Sequence, residues 1–200
     1  MIHLEILNCF YNNNYKVIDL KDVQKNTNYV ILITTNSGLY RYIIGDTVYF
    51  TSTNPFKIKI SGRTKYFINT FGEEVIVDNT DKALEICSKF FNCQIKDYTV
   101  APCFMKNNKS GYHEWVIEFE RKPENIKDFN LMLDKELQNL NSDYEAKRKD
   151  NLIIKSPVIH VAKNNTFYTW MKSKNKLGGQ NKVPRLSNNR INIEEILKLF

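Results

Sequence analysis

Cysteine, histidine and glycine are all scarce in this 200-residue chain, and each shortage removes a kind of site. Cys9, Cys87, Cys93 and Cys103 show no Cys-x-x-Cys spacing, and His3, His113 and His160 lie far from one another. That pattern argues against a zinc module, any other metal site and a disulfide framework; it suits free thiols buried in a reducing compartment. Seven glycines leave no glycine-rich phosphate loop anywhere in the chain. No apolar run approaches the ~20 residues of a membrane-spanning helix, so no membrane partner is expected. The opening MIHLEILNCF has no basic stretch, and Glu5 and Asn8 interrupt its apolar residues, unlike a signal peptide. The expectation is a soluble, cytoplasmic protein.

What is present is ordinary globular composition, with 42% hydrophobic and 26% charged residues, which excludes wholesale disorder. The length suits one domain or two small ones and buries roughly 70% of the unfolded surface. The net charge of +7 is unevenly placed: residues 151–200 carry nine basic side chains against Glu194 and Glu195, and the rest is neutral. A basic last quarter attracts phosphates, nucleic acid or acidic surfaces. Lysine outnumbers arginine 23 to 6 and asparagine appears 25 times, however, which fits compositional drift as a source of the charge.

Tyr29–Thr35 (YVILITT) reads as a buried strand, and Asn36-Ser37-Gly38 as a turn. Leu39–Ile44 and Thr47–Thr51 read as further strands broken at Gly45-Asp46. Phe56–Ile60 (FKIKI) alternates, predicting a buried apolar face with its lysines in solvent. This opening β-meander is too small to close a core and points to a piece of a larger β-rich domain. A helix to about Asn92 follows, capped by Asn79 or Thr80, with Ala83, Ile86, Cys87 and Phe90 on one face. Strands at 95–105 and 112–120 come next, the second with Glu114, Glu118 and Glu120 on a wet face. A helix after Lys122-Pro123-Glu124 carries Ile126, Phe129, Met132, Leu133, Leu137 and Leu140. A short helix capped by Ser142, a strand over 152–161, and helices over 166–176 and 191–200 complete an αββααβαα order. The fold class is α+β, with a mixed or antiparallel sheet flanked by helices. The expected division is a β-rich part over 1–61 and a mobile α+β domain over 62–200, with a hinge at 61–65.

Three stretches set turn residues beside charge. In YRYIIGD, Asp46 offers two acceptor oxygens that suit a ribose diol, beside a glycine that permits close approach; the alternative is a plain hairpin turn. In SGRTK, Arg63 can reach a ribose or phosphate oxygen and Gly62 can act as a pivot; the alternative is a solvated loop. In GGQNKVPR, two glycines loosen the chain while Pro184 stiffens it, so Lys182 sits on a short lever. An ammonium ~4 Å from a phosphate gains about 4 kcal/mol at an effective dielectric near 20. Its alternative is a solvated loop lysine.

The stretches TTNSGLYRYIIGDTV, ISGRTKYFINTFGEE and GGQNKVPRLSNNR, in this order, resemble motifs from the C-terminal half of the Gretchen Hagen family. These are the auxin-responsive acyl-acid amido synthetases within the adenylate-forming superfamily. HEWVIEFE and LNSDYEAKR look more like its bacterial branch. The resemblance spans nearly the whole chain and implies a two-step ligation: a carboxylic acid and ATP give an acyl-adenylate, and an amine then displaces AMP. It implies that Asp46 holds the ribose, Arg63 contacts the nucleotide, Lys65 lies at the hinge of a rotating C-terminal domain, and Lys182 bridges the adenylate and the acyl carboxylate.

A full-length member also has an N-terminal domain with the phosphate loop and most of the acyl pocket, and nothing here resembles either. The resemblance therefore implies a C-terminal fragment, inactive alone, that binds nucleotide. Mg2+ would be held mainly through ATP and the absent domain, and the acid and amine would be taken only alongside that half. Two other readings stay open. One is a non-catalytic remnant or interaction domain with an exposed apolar seam. The other, less favoured, is a basic nucleic-acid-binding module, suggested by Phe167, Tyr168 and Trp170 near the charge; their helical spacing fits packed core instead.

Overall fold

The computed structural model describes residues 2–8, 17–63, 66–105, 110–178 and 181–200; for residues 2–5, 7, 8 and 63 only the backbone is described. The chain divides into two compact units, Met1–Lys65 and Tyr66–Phe200.

The first unit is a five-stranded antiparallel sheet. Its strands are β1 (Ile2–Asn8), β2 (Val17–Asp19), β3 (Asn28–Thr35), β4 (Tyr42–Thr53) and β5 (Phe56–Arg63), in spatial order β2-β1-β3-β4-β5. The expected meander is β3-β4-β5, and β1 is added beside β3. The turn at Asn36-Ser37-Gly38 forms as expected, with Gly38 at φ +103 and its N–H donating to Thr35 O. The break expected at Gly45-Asp46 does not occur, and β4 runs straight through it. Gly45 takes up the irregularity at φ +93, a conformation glycine adopts without steric cost, so the strand bends instead of turning.

Register explains the core of this unit. Ile6 pairs with Ile31, Tyr29 with Val48, Val48 with Ile60, and Phe50 with Ile58, so these side chains share one face. Ile6, Tyr29, Val48 and Phe50 are buried beneath Val23, and Tyr29 meets Phe50 edge to face at 5.9 Å. The cover stops at β4. Ile58 and Ile60, on the edge strand, are 53% and 64% exposed, which corrects the expectation of a buried FKIKI face. Alternation identified the face, but only a covering element buries it, and among the described residues of this unit none covers Ile58 and Ile60.

The second unit opens with a small antiparallel pair beyond the expected elements, β6 (Phe67–Ile68) and β7 (Val75–Ile76). Then follow α1 (Val77–Phe90), β8 (Gln94–Phe104), β9 (Gly111–Arg121), α2 (Ile126–Leu140), α3 (Ser142–Arg148), β10 (Val158–Ala162), α4 (Thr166–Ser173) and α5 (Ile191–Leu197), in the expected order. The sheet is mixed, β10-β9-β8, with β8 antiparallel and β10 parallel to the central β9. Asn125 caps α2 by accepting from the Lys127 and Asp128 N–H groups, and Asn141, not Ser142, caps α3. The strand expected from 152 starts only at Val158, after Pro157, which has no N–H to give a ladder.

Both faces of this sheet are covered. Trp115 and Ile117 pack with Phe129, Leu133, Leu137 and Tyr144 on one side. Val116 packs with Phe167, Trp170, Ile193 and Ile196 on the other. The wet face expected for β9 is therefore wrong at two positions: Glu114 and Glu118 are buried. A central strand with helices on both faces has no solvent side, and its carboxylates must be paired. Glu114 accepts from His160 at 2.8 Å and from Arg190. Glu118 accepts from Lys96 at 2.9 Å and from the N–H groups of Asn165 and Phe167. The α1 stripe is rotated from the expected one: Thr80, Ala83, Leu84 and Cys87 are buried while Phe90 lies outside.

Candidate functional site

In the first unit, the ladder places Asp46 directly opposite Arg63, so the two residues expected to contact a nucleotide are cross-strand partners on β4 and β5. Asp46 is half-buried, next to the bend at Gly45. Its neighbour Thr47 is buried and accepts from Ser61 Oγ at 3.0 Å, which ties the two strands together beside the pair. A carboxylate fixed next to a positive-φ glycine offers two acceptors to vicinal hydroxyls. Lys65, the expected hinge residue, lies outside the described residues.

Lys182 belongs to the second unit. Ahead of it Gly178 takes φ +81 with open space around it. After it the chain is fixed: Val183 and Leu186 are buried, and Val100 N donates to Arg185 O at 2.8 Å while Ser187 N donates to Val100 O at 3.1 Å. The strip 184–187 is thus docked on the outer edge of β8, and Thr99 Oγ1 adds a bond to Pro184 O at 2.7 Å. The lever expected over this loop ends at Val183, which is buried. Lys182 is exposed at the rim of an open groove of about 360 Å³, whose lining includes Lys96, Glu118, Phe167, Met171 and Lys176. Lys176 and Lys182 carry no ion pair among the described residues, whereas Lys96 is taken by Glu118.

The electrostatics of the groove follow from these partners. Burial raises the Glu118 carboxyl, but Lys96 and the backbone N–H groups at the start of α4 outweigh it and hold the group below its usual range. Asp97 is pushed up by burial. The groove therefore presents ammonium groups over an apolar floor, with its buried acid already committed. Phe167 and Trp170 are part of the core, which removes two of the three aromatics a nucleic-acid surface would need. The described residues hold no group of three or more His, Cys, Asp or Glu side chains able to bind a metal.

The residues that anchor the strip after Lys182 are not among those the sequence singles out. Asp81, on α1, accepts both bonds from Arg185 Nη1, and the guanidinium lies 5.1 Å from the centre of the Tyr98 ring. Asn188 ties the strip to residues 67–70. Arg185 and Asn188 stand within the quoted motif; Asp81 carries no local signal, because its role exists only through a contact more than a hundred positions away.

Residues 78–191 match the model of the GH3 family C-terminal domain, and residues 1–63 that of the GH3 family central domain. The chain belongs to the GH3 family. This is the Gretchen Hagen family its motifs resemble. Two solved structures share its fold across the whole chain at 24% identity: a GH3.15 acyl acid amido synthetase, with a TM-score of 0.72, and AtGH3.15 acyl acid amido synthetase in complex with 2,4-DB, with a TM-score of 0.68. The chain spans 36% of the length of each. No curated protein sequence matches it. The α+β fold with a mixed sheet is that of the GH3 C-terminal domain.

Proposed function

We propose that this GH3 chain is the nucleotide-facing C-terminal portion of an ATP-dependent ligase that activates a carboxylic acid as acyl-AMP and passes it to an amine. On HEWVIEFE and LNSDYEAKR we assign it to the bacterial branch. The observation that carries the reading is the cross-strand pairing of Asp46 with Arg63 within the matched central domain, with Lys182 exposed on a docked strip of the matched C-terminal domain. Asp46 would accept from the two ribose hydroxyls, and Arg63 would bind a nucleotide oxygen. Lys182 would offset the negative charge that builds as carboxylate oxygen attacks the α-phosphorus and pyrophosphate leaves. Lys65, with residues 61–65, would be the hinge between a β-rich part over 1–61 and a mobile domain over 62–200.

ATP enters as the co-substrate. Asp46 would take its ribose and Lys182 one phosphate; the described residues provide no glycine-rich cradle for the triphosphate, so that cradle, Mg2+ and the acyl pocket would come from the part of such an enzyme that this chain does not span. The chain by itself is then expected to bind nucleotide weakly and to be inactive. Calorimetric titration with AMP and ATP tests this. Binding that Asp46→Ala abolishes and Lys182→Ala weakens supports the reading, whereas binding indifferent to Asp46→Ala removes the ribose role.

A further inference from the structure

Arg185 and Asn188 bracket the strip that follows Lys182, and each reaches a different part of the second unit. The Arg185 guanidinium donates to both carboxylate oxygens of Asp81 and lies over Tyr98, whose hydroxyl donates to the same Asp81 at 2.7 Å. Thr80 Oγ1 lies 2.7 Å from that hydroxyl, so the clamp is continuous with the buried face of α1. The backbone between is zipped to β8 at Val100. Three residues on, the Asn188 side chain accepts from Asn69 N–H at 2.8 Å and Thr70 Oγ1 at 3.1 Å, and donates to Phe67 O at 3.1 Å. Those partners are the segment that starts the second unit.

We propose that Arg185 and Asn188 are positioning residues that lock the Lys182 strip to α1, β8 and the 67–70 segment, so that Lys182 moves with its whole unit and not on a free loop. This rests on the reading of Lys182 as the lysine that reaches the adenylate. Val183 is buried immediately after Lys182, so the backbone is held from that residue onward. A lysine on a free loop would have to be ordered at each turnover; a docked one is already ordered, and only unit motion has to place it. Both bonds come from Nη1, so what a lysine at 185 would lose is the planar guanidinium lying over the Tyr98 ring while it holds Asp81.

Nitrogen-15 relaxation and amide exchange on the 200-residue chain test the lock. In the wild type the backbone order parameters of Lys182 and Val183 are expected near the ~0.85 of rigid backbone, falling below ~0.6 in Arg185→Ala. Exchange at Ser187 should rise roughly 10-fold, as loss of a hydrogen bond to a charged group allows. Arg185→Lys should recover little of this. Asn188→Ala should act the same way, and Asn188→Asp, which keeps the acceptor, should lie between. Unchanged exchange at Trp115 shows the fold is retained, and the Asn188 pair serves if Arg185→Ala does not fold. Low order at Lys182 in the wild type, or order unchanged in both alanine variants, overturns the proposal. AMP titration of Lys182→Ala tests the function separately: no change there removes the role of Lys182 while the lock stands on its relaxation data.

Discussion

The two units treat apolar side chains differently. In the second, helices cover both faces of a three-stranded sheet, and even Glu114 and Glu118 of its central strand are buried and paired. In the first, the cluster of Ile6, Tyr29, Val48 and Phe50 reaches only as far as β4, and Phe56, Ile58 and Ile60 continue the apolar surface onto an exposed edge strand. Such an edge exposes unpaired backbone groups and is a pairing liability, moderated here by the alternating Lys57 and Lys59. The second unit has what an independent fold needs; the first resembles a sheet that relies on a further partner for cover.

If the second unit is self-contained, its buried polar network should be costly to break. Asp134, on α2, accepts from Tyr144 Oη at 2.9 Å and from Arg148 Nε at 2.8 Å, and both ionic side chains are nine-tenths buried. Asp134→Ala strands a guanidinium and a phenol in the core and is expected to cost about 3–5 kcal/mol. Urea unfolding followed by Trp fluorescence would read it; a loss under 1 kcal/mol would mean water replaces the carboxylate. Gly111→Ala comes next. A Cβ there would sit 2.3 Å from the Cys103 carbonyl oxygen and 2.3 Å from Phe71 Cζ, and a strand backbone cannot yield as a flexible side chain does. The expected cost is about 1–3 kcal/mol, visible as a lower Tm.

The sequence carried the order of elements well and their surroundings poorly. The α2 stripe of Phe129, Leu133 and Leu137 was legible because a helix packed on one side repeats its burial at a fixed spacing. Glu114 and Glu118 were not, because alternation does not say whether a second layer will cover the polar face. Gly45-Asp46 has the composition of a turn, yet the pairs that flank it, Ile43 with Leu32 and Thr47 with Val30, together with Asp46 opposite Arg63, carry the strand through as an irregularity. Lys182 stood out through its glycines and proline, whereas Asp81 could not, since its partner lies across the fold.

The pH dependence sharpens the contrast within the second unit. Burial, with Asp143 nearby, pushes Glu74 up to about 7. A carboxyl raised in the folded state binds its proton more tightly there than in the unfolded chain. Its contribution is therefore full below about pH 4.5 and falls as pH rises toward 7. Glu114 and Glu118, which are lowered despite burial, act in the opposite sense: their stabilisation is present above about pH 4.5 and is lost as pH falls through their folded values. Glu74→Gln should thus leave stability at pH 4.5 nearly unchanged and raise it at pH 8. Equal effects at both pH values would mean Glu74 stays ionised through the range.

The smallest effect on stability should come from the first unit's open edge, and it separates the two units most directly. Ile60→Thr and Ile117→Thr are the same chemical change at an exposed and a fully buried strand position. Placing a hydroxyl beside Trp115 forfeits buried apolar area and buries a polar group, at about 2 kcal/mol or more. At position 60 the side chain already meets solvent, so Ile58→Thr with Ile60→Thr should stay within roughly 0.5 kcal/mol. What that pair should change is association. Removing two apolar side chains from a strand edge lowers its tendency to pair with another copy, and sedimentation velocity would show less oligomer at unchanged stability. A loss of several kcal/mol instead would mean the first unit buries Ile58 and Ile60 itself, and the difference between the units would then vanish.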